Sequence, residues 1–142
     1  MVIASEIIPQ SAVFLFERGY RIVDCFSFAD WEGTGSVILR KGEIEVLLER
    51  LRDRNQGLSV FVSFRVIGAS DVFGYQSEII EQLITGNACD WKSTDKTMKF
   101  IEANISGIED RFTPENLAAT EKECVRLQRE RAKHAFGIES PE

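Results

Sequence analysis

A single histidine, His134, is all that this chain offers as the base of a nucleophilic site. A Ser-His-Asp or Cys-His arrangement must pass through it, because a hydroxyl or thiol is a weak nucleophile until a neighbouring base takes its proton. His134 follows Lys133 in a charged stretch of helical spacing, which reads as a solvated helix surface. Cys25, Cys89 and Cys124 are odd in number and far apart, and no C-x-x-C is present. That pattern favours free thiols in a reducing, cytoplasmic compartment over a disulfide scaffold, a zinc site or a redox pair. Neither H-E-x-x-H nor a D-x-D-x-D-G loop occurs, so no metal or other cofactor is expected. Asp24, Asp30 and Glu32 could share a cation through their oxygens, but carboxylates scattered near a loop are read as solvated. Gly33-Thr34-Gly35 lies between two predicted strands and opens no helix whose amides could receive a phosphate, so it is a turn. No catalytic residue is assigned, and the expectation is a protein that is not an enzyme.

Binding chemistry is better represented. Asp30, Trp31 and Glu32 place an indole between two acids in a glycine-flanked loop, and a loop tryptophan rimmed by charge is a common anchor of protein interfaces. The competing reading has Trp31 folding back over the open end of a sheet. Trp91, within Ala88-Cys89-Asp90-Trp91-Lys92, reads as packing between two helices.

Charge narrows the partners. The net charge is −6, with 8 basic and 10 acidic residues in 1–71 and 9 and 13 in 72–142. Phosphate backbones and anionic membranes reward clustered cations, so nucleic acid and membrane are not expected as partners, whereas a basic protein would be drawn in. The first nine residues lack a positive n-region and are broken by Glu6 and Pro9, so no signal peptide is expected. No stretch reaches the ~20 apolar residues that span a bilayer.

The elements that would carry these residues follow from spacing. With 142 residues, 44% of them hydrophobic, the chain suffices for one core, and a single domain over 1–142 is expected. Pro9 to Gly19 reads as a helix turning Val13 and Phe16, with Ile8 or Ala12, to the core. Tyr20–Phe28, Ser36–Arg40, Glu43–Arg50 and Leu58–Val66 read as strands, the second and third joined at Lys41-Gly42. Short local connections make them a four-stranded antiparallel meander with the first and fourth strands as edges. Beyond Gly68 the period becomes helical. Ile79, Ile80, Leu83 and Ile84 lead to a stop at Gly86-Asn87. Met98, Ile101 and Ile105 follow a cap at Ser93 or Thr94. Thr113-Pro114-Glu115 opens a last helix with the stripe Leu117, Cys124, Leu127 and Ala135. An N-terminal helix and meander over about 9–67, followed by a helical part over about 75–137, predict an α+β fold with two or three helices packed on the sheet.

The segment Phe14-Leu15-Phe16-Glu17-Arg18-Gly19-Tyr20-Arg21-Ile22-Val23, with Ser36-Val37-Ile38-Leu39, Glu45-Val46 and Asp53-Arg54 before Val60-Phe61-Val62, resembles small bacterial immunity-type proteins of polymorphic toxin systems over residues 12–66. The resemblance implies a non-enzymatic protein-binding module that occludes a cognate, basic toxin. It carries over no site residue. Two other readings stand beside it. One is a homodimeric structural or accessory protein, joined at a sheet edge or along the Leu117, Cys124 and Leu127 stripe. The other is a small enzyme with a carboxylate site that no motif marks.

Overall fold

The computed structural model describes residues 4–28, 33–52, 57–67, 74–90 and 92–136. The fold is α+β, built on a five-stranded antiparallel sheet in the order β1-β2-β3-β4-β5. The strands are β1 (Arg21–Ser27), β2 (Gly35–Lys41), β3 (Ile44–Arg52), β4 (Leu58–Val66) and β5 (Tyr75–Gln76). The meander is therefore as expected for β1 to β4, but a fifth strand is added. Tyr75-Gln76 is too short for a two-residue period to reveal, and it pairs with Phe64 and Ser63 of β4.

The N-terminal segment differs from the single helix expected. It breaks into α1 (Ala4–Ile7), a 3₁₀ turn over Gln10–Ala12 and α2 (Phe14–Glu17). The tighter turn changes the rotation per residue, so Leu15, not Val13, reaches the core. Leu15 and Ala12 are fully buried, Phe14 and Phe16 are half-buried, and Val13 is 38% exposed. The chain then turns at Gly19, where the Tyr20 amide donates to the Leu15 carbonyl at 3.0 Å.

Strands β2 and β3 pair in unbroken register from Gly35↔Arg50 to Lys41↔Ile44, leaving Gly42-Glu43 as the loop. The positive φ of 60° at Gly42 is what tight hairpin turns matched to strand twist require. One sheet face carries Val37, Leu39, Val46, Leu48, Val62, Phe64 and Val66 into the hydrophobic core with the helices. Alternation puts Ile38, Glu45, Leu47 and Ser63 on the other face, and Leu47, though buried, stands apart from that core cluster.

The helices are α3 (Ser77–Thr85), α4 (Thr94–Arg111) and α5 (Leu117–Phe136). α3 stops where expected, with the Gly86 amide on the Gln82 carbonyl at 2.8 Å. Ser93 caps α4 by accepting from the Lys96 amide at 3.5 Å. The expected start of the last helix at Thr113 is corrected. The Thr113 hydroxyl donates back to the Asp110 carbonyl at 3.0 Å and so does not cap forward, and α5 begins at Leu117. Met98, Ile101, Ile105 and Ile108 of α4 and Cys124 and Leu127 of α5 complete the core. Leu117 packs against it. Of the α5 stripe, Cys124 and Leu127 are buried, Leu117 is partly buried and Ala135 is exposed.

Candidate functional site

Asp30, Trp31 and Glu32 lie outside the described residues, as does Trp91. In sequence the first three fall between β1 and β2. β1 is also unlike every other strand. All seven of its residues are exposed, with Ile22 and Val23 each at 44% and Phe26 at 43%.

The cause is a β-bulge. Ile22 pairs with Leu39 and Asp24 with Ile38, so Val23 has no partner across the ladder. One inserted residue reverses the faces beyond it. Ile22 lies on the face of Leu39, Cys25 on that of Val37, and Phe26 with Ser36 on the opposite face. The near-alternation of Ile22, Phe26 and Phe28 in the sequence therefore hides a change of side. Phe26 and Phe28 meet edge-to-face with ring centres 5.9 Å apart.

The backbone orientation of β1 follows from one bond. The Phe28 amide donates to the Thr34 carbonyl at 3.2 Å, and in an antiparallel ladder inward and outward groups alternate. Phe26 and Asp24 accordingly turn their amides toward β2, and Cys25 turns its own outward. The Cys25 amide is held by the side chain of its neighbour, donating to Oδ1 of Asp24 at 2.8 Å. Arg21 is turned away from the edge, with Nη1 donating to the carbonyls of Phe16 at 2.9 Å and Tyr20 at 2.7 Å. Asp24 is left as the charge that guards this edge.

The opposite edge of the sheet is the two-residue β5. β5 pairs along part of β4, and further along the Thr94 hydroxyl both accepts from the Val60 amide and donates to the Val60 carbonyl, each at 3.2 Å.

No family model, curated protein or solved structure matches this chain. Its function must be argued from its own groups.

The titratable groups that the fold does bring together are engaged with one another. Glu109 of α4 accepts from Arg18 Nε and Nη2 at 2.9 and 2.7 Å, from the Tyr20 hydroxyl at 2.9 Å and from Lys41 Nζ at 3.2 Å. Burial by itself would raise its carboxyl, but the bonds from Arg18, Tyr20 and Lys41 outweigh it and hold the group below the usual carboxylate range. Burial and the Glu109 bond push the Tyr20 hydroxyl far up. Glu45 is held in the same way on the other sheet face, between Arg40 at 2.8 Å and Arg65 at 2.8 Å. Its carboxyl too is lowered, the two guanidinium bonds exceeding the opposing effect of burial.

Glu81 of α3 accepts from Lys92 at 2.5 Å, beside the Cys89 thiol. That thiol donates to the Glu78 carbonyl at 3.1 Å. Burial first, and then the Glu81 carboxylate, push Cys89 up to about 12. Burial does the same to Cys124. Both thiols are therefore protonated at neutral pH, the opposite of an activated nucleophile. Glu78, Glu81, Asp90, Lys92 and Phe100 line a shallow depression open to solvent. Among the described residues no three His, Cys, Asp or Glu side chains gather as metal ligands, and no helix is long and apolar enough to cross a membrane. His134 is exposed in the last turn of α5.

Sequence reasoning missed the Glu109 constellation because its members are far apart, Arg18 and Glu109 by 91 positions. The exposed β1 edge did leave a trace, in Val23-Asp24 interrupting the two-residue period.

Proposed function

We propose that this chain is a non-enzymatic protein-binding module, acting as an immunity-type inhibitor that occludes a basic bacterial toxin. The observation that carries the reading is β1, an edge strand exposing Ile22, Val23 and Phe26, whereas β4 is covered at Ser63 and Phe64 by β5 and at Val60 by Thr94. Folded proteins usually blunt such edges, and apolar side chains left along one mark an interaction surface. Asp30, Trp31 and Glu32, which follow β1 in sequence, would supply an aromatic anchor and acidic rim. The net charge of −6 supports a basic partner by speeding its encounter.

The test is affinity capture from the source lysate at low salt, followed by purification of any candidate partner. A saturable one-to-one complex whose association slows as salt rises is the expected result. If no partner is retained at micromolar bait, the proposal fails. Light scattering after size exclusion separates the homodimer reading: a salt-independent dimer would replace the inhibitor reading.

A further inference from the structure

We propose that the outer edge of β1 is a strand-acceptor site that takes an extended segment of the partner protein, with a lysine or arginine opposite Asp24 and apolar side chains on either side of it. The proposal deepens the protein-binding reading above and rests on it.

Three features of β1 define what fits. No further strand pairs beyond β1 among the described residues, so its edge between Ile22 and Phe26 can take up a neighbour. Main-chain pairing of this kind supplies affinity, and the side chains on the two faces supply selectivity. Both faces are apolar and uncovered, with Ile22 on the core side and Phe26 on the other, so an incoming strand would bury surface on each. The charge is one-sided. Arg21 is drawn back onto the Phe16 and Tyr20 carbonyls, which leaves Asp24 beside the outward Cys25 amide. A cation on the incoming strand draws the carboxylate across and frees that amide for the ladder.

A second copy of the chain fits less well. A two-fold antiparallel pairing centred on β1 sets Asp24 against the Asp24 of the copy, and like charges directly opposite are unfavourable. Asp24 on the Cys25 amide also caps the edge in the free protein, a guard against indiscriminate pairing.

The experiment is selection of phage-displayed random nonapeptides on the full chain, with hits then titrated as free peptides into the isotopically labelled protein. Cys25→Pro removes the outward amide, whose hydrogen bond is to a side chain, and proline is tolerated on sheet edges. Asp24→Lys reverses the guard charge and leaves the backbone intact. The expected hits alternate apolar residues around a lysine or arginine and shift the amide signals of residues 22–27. They bind Cys25→Pro at least tenfold more weakly, and Asp24→Lys selects acidic peptides in their place. Hits that bind both variants as tightly as the parent chain would overturn edge docking while leaving the protein-binding reading standing. An empty selection would also overturn it, and the lysate capture then decides the broader reading separately. A dimer dispersed by Cys25→Pro would hand the edge to a second copy and overturn the proposal.

Discussion

The Tyr20 hydroxyl donates to Oε2 of Glu109 at 2.9 Å, tying the residue that enters β1 to α4 across 89 positions of sequence. Arg18 and Lys41 converge on the same carboxylate, so one partly buried anion fastens the N-terminal segment, the β2–β3 hairpin and α4 together. Tyr20→Phe keeps the ring and removes this bond. The expected loss is about 1.5–3 kcal/mol, the range for hydrogen bonds to charged groups. It should appear as a lower urea midpoint with an unchanged slope.

The same carboxylate makes stability depend on acid. Its folded pKa is depressed, so its contribution is fully present above the ordinary value of 4.5 and is lost as pH falls from there through the lower folded value. Urea unfolding from pH 7 down to 3 should show that decline. Glu109→Gln should start less stable at pH 7 and fall less steeply below pH 4.5, and parallel curves for the two proteins would contradict the assignment.

At high pH the sign reverses. Burial raises the Cys124 thiol from 9.0 to about 12, so the folded chain holds a proton that the unfolded chain releases. The stability is intact below pH 9 and is lost as pH rises from 9 toward 12, at up to about 1.4 kcal/mol per pH unit for one group. Cys124→Ala, although less stable at pH 7, should show a shallower alkaline decline in thermal melts taken from pH 8 to 11.

Gly74 enters β5 at φ 76°, and a Cβ there would lie 2.7 Å from the Phe64 carbonyl oxygen. Gly42, at φ 60°, has no atom within 4 Å of such a Cβ. Both alanine substitutions incur the left-handed backbone cost of about 1–2 kcal/mol. Gly74→Ala adds a clash worth about 1–3 kcal/mol more. The gap between the two melting curves measures that clash.

Trp31→Ala tests the loop reading. If the indole is an interface anchor, melting should be nearly unchanged and affinity for the captured partner should fall by about 2 kcal/mol or more. A stability loss of about 3–5 kcal/mol would mark it as a core residue instead.

The meander and the helical half could be read from the chain because they rest on local physics. Glu43-Ile44-Glu45-Val46 alternates polar and apolar residues, although β3 buries Glu45 and Leu47 as well as Val46, Gly42 sits in a tight turn, and Met98, Ile101 and Ile105 repeat at the helical period. Reading failed where a local signal lost to a longer-range one. Thr113 has the chemistry of a cap, but its hydroxyl bonds to Asp110. Val13 has the hydrophobicity of a core residue, but the 3₁₀ turn rotates it outward.

By itself, then, the sequence determined the α+β class, the register-setting alternation and the absence of familiar catalytic motifs, since each depends on residues within a few positions of one another. Only the tertiary structure decided that Glu109 gathers Arg18, Tyr20 and Lys41, that Cys124 and Leu127 are spent inside the chain, and that β1 is the strand left open. Those outcomes depend on which surfaces meet after the chain has closed on itself. Burial and charge pairing are properties of that meeting, which no window of neighbouring residues contains.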